Sequence, residues 1–292
     1  MARSFVTIKS LGEKTCWTLV EQAIGIPHPK MVSNFMDDRV ALLLFSRQSL
    51  PERLCVTAAV RQMGGSTIYQ GDQGGVWREE VHAFQKEMLG VFSYYMDCMY
   101  LYGFPVSQWA FQDEDLLFPL INAGSPEAHP AHALADIACM KKSAKELEGV
   151  GTAWIGCPNG AFYSLLEAMV WFPFSMNICI PSQFDASLIK LRIKELGIPA
   201  KFIDKPDDAV KDCRFVYAGF RGPLSDSELG PYKITMELLA RADKDAKFLL
   251  SASPLRSIPV SSKVLQSPAN KIASQARYRL GVHKRILHWI LQ

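Results

Sequence analysis

Two histidines three residues apart, His129 and His132, could do hydrogen-bond or acid–base chemistry near neutral pH. Pro130, which follows the first of them, suits the first turn of a helix because its missing N–H would have no intrahelical partner there. The preceding run, residues 118–124, is mostly apolar and ends in glycine, which predicts a strand giving way to a loop. The histidines are therefore expected where the carboxyl end of a strand meets a helix N-terminus, a position that binds anions and small ligands.

Two roles for this histidine pair are open. In the catalytic interpretation, the helix N-terminus favours a neutral imidazole at His129, which can donate one hydrogen bond to a carbonyl oxygen. His132 would then reach the same ligand or fix the tautomer of the first ring. In the structural interpretation, His129 caps the helix and contacts a neighbouring subunit. Because the spacing of the pair is not that of a zinc site, no metal is expected.

Composition bounds the class of protein. With 292 residues, of which 49% are hydrophobic and 21% charged, the chain can bury ample core and is most simply two domains. A formal net charge of +3 is too small to indicate nucleic acid or a membrane surface as a partner. No apolar run is long enough to span a bilayer, and the first residues lack the apolar core of a signal peptide.

The seven cysteines are scattered, odd in number and never in a Cys-x-x-Cys pair. This pattern favours reduced thiols over a disulfide framework or a zinc site. The sequence therefore predicts a cytoplasmic protein.

Strand and helix patterns alternate along the chain. The apolar run at 38–45 suits a strand buried in a parallel sheet, and a helix is predicted next, with Ser49 as N-cap, Glu52 completing a capping box and Gly64-Gly65 as the stop. Residues 151–160 predict a strand and a glycine-containing turn that opens a second such unit, but they lack Gly-x-Gly-x-x-Gly, so no dinucleotide or other cofactor is expected. The fold class predicted is α/β, with two doubly wound parallel-sheet domains.

The segment 129–136, His-Pro-Ala-His-Ala-Leu-Ala-Asp, resembles the His-Pro-Cys-Gln-Ala-Leu-Ala-Asp signature of the aspartate and ornithine carbamoyltransferase family. Ala131 and His132 replace the Cys-Gln of that signature. The resemblance runs over nearly the whole chain. It implies three segments: residues 1–144 as a carbamoyl-phosphate-binding-like domain, 145–268 as an amino-acid-binding-like domain, and a helix over 269–292 that packs back on the first domain. A helix links the two domains.

A second match lies at the predicted phosphate loop. The family pattern Phe-x-x-x-Ser-Thr-Arg-Thr-Arg wraps the phosphate of carbamoyl phosphate, and this chain has Phe45 followed by Ser49-Leu-Pro-Glu-Arg53. The serine and the last arginine survive, whereas Leu50-Pro51-Glu52 replaces Thr-Arg-Thr. Backbone N–H groups at this helix start could still attract an anion, but Glu52 would oppose a dianionic phosphate.

The resemblance also assigns roles to single residues elsewhere. Tyr102 stands in place of a second phosphate-binding arginine, and Arg279 in place of a ligand-facing arginine of the closing helix. Arg221 would suit an acidic acceptor, and Ser251 replaces the histidine of a His-Cys-Leu-Pro turn. The predicted catalytic residues are His129 and Arg53; the predicted donor- or anion-binding residues are Ser49, Arg53, Tyr102, His132 and Arg279; the predicted acceptor-binding residues are Arg221 and Ser251.

Two functions follow from these matches and losses. The first is a diverged transferase that acts on an amino-acid-like or other small amine acceptor with altered donor use. The second is a non-catalytic member of the family that serves as a binding or regulatory subunit. The resemblance implies a homotrimer that binds a small molecule bearing phosphate or carboxylate.

Overall fold

The computed structural model describes residues 3–28, 30–71, 90–106, 117–220, 222–251 and 260–292. They form two compact units, each described by itself. Unit 1 comprises Met1–Ala135 and Ala276–Gln292, and unit 2 comprises Asp136–Gln275. The domain limits at 144 and 268 drawn from the sequence stay a prediction.

Unit 1 is built on a five-stranded sheet. Its strands and helices, in chain order, are β1 (Ser4–Phe5), α1 (Ile8–Leu11), α2 (Glu13–Ile24), β2 (Val40–Phe45), α3 (Leu50–Gln62), β3 (Ser66–Gly71), β4 (Cys98–Tyr102) and β5 (Leu120–Gly124). The strand order is β1-β5-β4-β2-β3, and every neighbouring pair is parallel. The carboxyl ends of β2, β4 and β5 therefore meet at one edge of the sheet.

Helix α4 (Pro130–Ala144) begins in unit 1 and ends in unit 2. Residues 130–140 are buried without interruption, so this helix is a core element and not a surface helix. Pro130 is its first residue, as the sequence predicts. The turn before it is closed by Ser125, whose backbone N–H and hydroxyl both donate to the Ala128 carbonyl oxygen, at 2.7 and 3.1 Å. These bonds fix the point at which His129 enters the helix.

Unit 2 is a second parallel sheet. Its elements are β6 (Val150–Ile155), α5 (Gly160–Ala168), β7 (Phe174–Cys179), α6 (Ser187–Leu196), β8 (Ala200–Phe202), α7 (Pro206–Ala209), β9 (Cys213–Ala218), α8 (Asp226–Leu229), α9 (Met236–Leu239), β10 (Lys247–Leu250), α10 (Ser262–Gln266) and α11 (Ile272–Ile290). The order is β10-β9-β6-β7-β8, again with every pair parallel. The predicted α/β class with two parallel-sheet domains is confirmed.

Helix α11 begins in unit 2, and its residues from Ala276 onward belong to unit 1. Within unit 1, Arg277 Nη2 donates to the carbonyl oxygens of Ile26 and Pro27, and Lys284 Nζ donates to the Met31 carbonyl oxygen at 2.6 Å. These bonds hold the helix against the segment that follows α2. No helix among the described residues has both the length and the apolar character needed to cross a membrane.

Two local predictions are corrected. Ser49 precedes α3 as its N-cap, but its side chain makes no capping hydrogen bond, so the predicted capping box with Glu52 does not form. The reason is that the Glu52 carboxylate bonds to His129 instead. The family resemblance also predicts a helix over 232–240. The structure has instead a 3₁₀ turn, Gly230–Tyr232, followed by the short α9, because Thr235 starts a new helix by accepting from the Leu238 N–H. The sequence further predicts a helix over 79–94, which lies largely outside the described residues.

Gln275 joins three elements inside unit 2. Its amide nitrogen donates to Asp136 Oδ1 at 2.7 Å and to the Leu250 carbonyl oxygen at 3.1 Å, while its amide oxygen accepts from the Leu250 N–H at 3.0 Å. Both Gln275 and Asp136 are essentially inaccessible to solvent. The start of α11 is thereby fixed to α4 and to the end of β10.

Replacing Gln275 by Ala should destabilise unit 2, because buried polar groups of Asp136 and Leu250 lose a partner. We expect a loss of about 2–4 kcal/mol in the free energy of unfolding, since each buried group deprived of its hydrogen bond costs about 1–3 kcal/mol. Denaturant unfolding followed by circular dichroism measures it. The control is Gln266→Ala, an exposed position at the end of α10, which should change stability by less than about 0.5 kcal/mol. Equal effects of the two substitutions would contradict this role for Gln275.

Candidate functional site

In unit 1, the first turn of α3, the first turn of α4 and the middle of α11 bring five polar side chains together. We call them the histidine cluster: Glu52, His129, His132, Arg279 and His283. Each has a local reason for its place. His129 immediately precedes α4 and His132 lies in its first turn, while Arg279 and His283 lie one turn apart on α11.

The Glu52–His129 pair is the centre of the cluster. His129 Nε2 lies 3.2 Å from Glu52 Oε1, and Glu52 is only 7% exposed. Burial by itself would raise the pKa of Glu52, but His129, then Arg279 and His283, outweigh burial and lower that pKa from 4.5 to about 2. The carboxylate is therefore ionised at neutral pH. Because an ionised carboxylate only accepts hydrogen bonds, His129 Nε2 must be the donor.

Arg279 holds the second histidine. Its Nη2 lies 2.6 Å from His132 Nε2, and His132 is 2% exposed. A guanidinium can only donate, so Nε2 of His132 accepts and the ring proton of the neutral imidazole is on Nδ1. The two imidazoles meet edge to face, with centroids 5.1 Å apart.

His283 lies behind the pair and is 1% exposed. Burial lowers its pKa from 6.5 to about 4, helped by His129 and Arg279 and opposed by Glu52. Its ring centroid is 5.8 Å from that of Tyr100 on β4. Buried atoms here without a hydrogen-bond partner among the described residues include Glu52 Oε2, Arg279 Nε, His283 Nδ1 and the Tyr100 hydroxyl oxygen.

Cys55 is the one thiol beside the histidine cluster among the described residues. Burial, followed by the charge of Glu52, raises its pKa to about 12. Burial likewise raises the pKa of Tyr100 well above its ordinary value of 10. Neither group is ionised at neutral pH, so neither supplies a nucleophilic anion.

Tyr102 stands beside His129 because Gly124 separates them without a side chain. A Cβ on Gly124 would lie 2.9 Å from His129 Cδ2 and 3.0 Å from Tyr102 Cε2. The residue also has φ of +135°, which favours glycine. The Tyr102 ring packs on Phe45, with centroids 4.9 Å apart. The predicted site residue Tyr102 is thus placed next to the cluster.

The remaining predicted residues of unit 1 lie outside the cluster. Arg53 is exposed, and its guanidinium carbon lies 3.9 Å from the centroid of the Tyr69 ring, a cation–π contact on β3. Ser49 is half-buried at the start of α3. The structure therefore brings His129, His132, Tyr102 and Arg279 together, whereas Arg53 faces away from them. Its catalytic role stays a prediction.

The predicted acceptor-binding residues belong to unit 2. Ser251, at the end of β10, is buried; its Oγ lies 3.5 Å from Asn159 Nδ2, which also donates to the Ser251 carbonyl oxygen at 3.3 Å. Asn159 in turn caps α5 by accepting from the Phe162 N–H. Arg221 lies outside the described residues. Acceptor binding by Ser251 and Arg221 stays a prediction.

Glu52, His129 and His132 are also the residues that could hold a metal ion. One ligand atom from each lies within 4.8 Å of the others, and two histidines with one carboxylate is a known ligand set. However, His132 Nε2 accepts from Arg279, whose positive charge also opposes a cation. The arrangement therefore suits a polar ligand that carries no net positive charge.

Two members of the cluster, Glu52 and His283, are not among the site residues predicted from the sequence. The sequence pattern predicts that Glu52 takes part in a capping box at the start of α3. Its inward orientation is seen only from its contact with His129, which is distant in the sequence. His283 carried a usable signal, because it follows Arg279 by four residues and so shares its helix face.

The cluster should make stability fall in acid. Because the pKa of His283 is about 4 when folded and 6.5 when free, the unfolded chain takes up a proton first as pH falls. The free energy of unfolding should therefore drop by about 3 kcal/mol between pH 6.5 and 4 from this group. Protonation of Glu52 should lower the free energy of unfolding further between pH 4.5 and 2, because the pKa of this carboxyl is also lower in the folded protein than in the unfolded chain.

Denaturant unfolding at pH 7 and pH 4.5 tests this. We expect His283→Gln to flatten the fall between pH 6.5 and 4, while His28→Gln, at an exposed position in unit 1, should leave it unchanged. An equal pH dependence in both variants would show that His283 does not supply it.

Comparisons with known proteins place this geometry in a family. Residues 3–142 match the family model described as aspartate/ornithine carbamoyltransferase, carbamoyl-P binding domain, and residues 148–290 match its Asp/Orn binding domain. The ornithine carbamoyltransferase of Nitratidesulfovibrio vulgaris (strain DP4) is 28% identical, with 99% of each chain covered. The crystal structure of ornithine carbamoyltransferase from Thermus thermophilus superposes with a TM-score of 0.88 at 21% identity, covering 100% of both chains. This chain therefore belongs to the aspartate/ornithine carbamoyltransferase family.

Proposed function

We propose that this protein is a transferase that moves a carbamoyl group to an amino-acid-like or other small amine acceptor, with a donor other than ordinary carbamoyl phosphate. Family membership supports the reaction class, and relatives named ornithine carbamoyltransferase support an amine acceptor. The observation that carries the altered donor is the buried, ionised Glu52 beside His129.

The charges of the histidine cluster support this choice of donor. Glu52 and Arg279 balance each other, and the neutral His283 and His132 add no charge. A phosphate dianion placed against Glu52 would meet a like charge, and Arg279, already paired with Glu52, would not be free to offset it. At 4 Å and an effective dielectric of about 20, each pair of unit charges repels by about 4 kcal/mol. A donor with a neutral or weakly charged leaving group avoids this cost.

His129 has the central role in the transfer that we propose. The acceptor amine attacks the carbamoyl carbon and forms a C–N bond, negative charge develops on the carbonyl oxygen, and an imidazole N–H of His129 donates to that oxygen. The carbonyl re-forms as the bond to the leaving group breaks, and the leaving group departs with the electron pair and takes up the proton that the amine nitrogen loses. In the structure His129 Nε2 faces Glu52, so this N–H must turn to the donor when the donor binds. Tyr102, across Gly124 from the ring, is placed to line the same position.

The same hydrogen bonds favour a second candidate. His129 Nε2 and His132 Nε2 both already have internal partners, as expected of a site that no longer performs chemistry. Under this alternative the chain is a non-catalytic family member that binds or regulates.

We also propose the homotrimer that the family resemblance implies. Leu50 and Leu54, one turn apart on α3, are 57% and 58% exposed, and Ile68 on the edge strand β3 is 50% exposed. Exposed apolar side chains grouped in this way support an interface with another subunit.

We also propose a cytoplasmic location, because the cysteines are present as thiols. All seven cysteines lie among the described residues as thiols, and six of them are buried. Cysteines kept as buried thiols suit a reducing compartment.

The proposed function predicts weak carbamoyl phosphate binding and a His129-dependent transfer. By calorimetry, the dissociation constant for carbamoyl phosphate should be weaker than about 1 mM. In a mass-spectrometric assay with isotopically labelled amines, neutral ureido compounds offered as donors should yield carbamoylated product. His129→Asn, which keeps a capping side chain, should lower turnover at least about tenfold with little change in melting temperature.

His28→Asn, an exposed histidine of the same unit, is the matched control and should leave turnover unchanged. A micromolar dissociation constant for carbamoyl phosphate would overturn the altered donor. Turnover that is unaffected by His129→Asn, or lost only through unfolding, would leave His129 a structural role. No transfer with any donor would favour the non-catalytic alternative.

A further inference from the structure

Glu52 faces inward from a helix turn whose other side chains face outward. It is 7% exposed, whereas Leu50 and Leu54 of the same helix are 57% and 58% exposed. It is the third residue of α3, a helix of 13 residues, and so lies where unpaired backbone N–H groups create a partial positive charge. A carboxylate is favoured in this position.

The Glu52 carboxylate is surrounded by groups of the kind that bind anions. Oε1 accepts from His129 Nε2 at 3.2 Å, and the charge of Arg279 also acts on the group. Oε2 is buried and has no hydrogen-bond partner among the described residues, and the same holds for Nε of Arg279. An imidazole N–H, a guanidinium and a helix N-terminus are also the groups that bind an external oxyanion.

We propose that Glu52 determines the donor specificity of this site: its carboxylate takes up the anion-binding groups of unit 1 and excludes ligands that bear a phosphate group. The inference rests on the proposed function in one respect, that unit 1 handles the donor. Glu52 acts in two ways, because its charge repels a second anion and its side chain fills the space beside His129. A shorter, neutral side chain should remove both effects.

The test is phosphate binding in two variants. Glu52→Gln removes the charge and keeps the size, whereas Glu52→Thr removes both and restores the residue type of the family pattern. Inorganic phosphate is titrated into each protein by calorimetry in a phosphate-free buffer. We expect the dissociation constant to tighten at least about tenfold in Glu52→Thr relative to the unmodified protein, with Glu52→Gln between the two.

Two controls separate exclusion from a general change in charge. Glu13→Gln removes an exposed carboxylate from the first turn of α2, another helix of unit 1, and should not alter phosphate binding. Adding Arg279→Gln to Glu52→Thr should abolish the gain, because the guanidinium is one of the groups released. A merely structural role for Glu52 would not make the gain depend on Arg279.

Three results would overturn the inference: phosphate binding by the unmodified protein as tight as by Glu52→Thr, a gain that survives loss of Arg279, or no gain in either variant. If Glu52→Thr does not fold, Glu52→Gln decides alone, because its size is unchanged. The readout needs no acceptor and no turnover. If Glu52→Thr binds phosphate more tightly but the unmodified protein transfers no carbamoyl group, this inference stands and the proposed function is rejected. If the unmodified protein transfers a carbamoyl group but neither variant binds phosphate more tightly, the proposed function stands and this inference is rejected.

Discussion

The hydrogen bond from His129 to the Glu52 carboxylate constrains the rest of the unit 1 site. A buried carboxylate is costly unless it is paired, so His129, Arg279 and the start of α3 must all lie close to it. The same charge fixes which atom of His129 donates. Burial, and after it the Glu52 charge, raises the pKa of the Cys55 thiol and keeps it protonated at neutral pH.

The two helices that pass through this region serve it in different ways. Residues 130–140 of helix α4 are buried without interruption, which holds His132 in its first turn and His129 just before it in fixed positions. Helix α11 supplies Arg279 and His283 on one face, and Gln275 in its first turn is fixed inside unit 2 by Asp136 and Leu250. The polar side chains of the cluster are therefore positioned by core elements and not by loops.

Much of this fold is predictable from local patterns. The Pro130 helix start and both parallel sheets follow from turn chemistry and apolar runs, which act between near neighbours. The inward orientation of the Glu52 side chain is not predictable in this way. Ser49 and Glu52 satisfy a local capping pattern, but Glu52 bonds instead to His129, which is 77 residues away in the sequence. The same holds for Arg53. The match to the family pattern identifies an arginine at this position, but it does not predict that the guanidinium packs on the Tyr69 ring.

Imidazole ¹⁵N NMR at pH 7 tests most directly whether internal partners occupy Nε2 of both His129 and His132. The structure predicts that His129 carries a proton on Nε2, directed at Glu52, and that His132 carries its proton on Nδ1 while Nε2 accepts from Arg279. Single His129→Asn and His132→Asn variants assign the signals. A His132 protonated on Nε2, or a His129 with an unprotonated Nε2, would contradict the account.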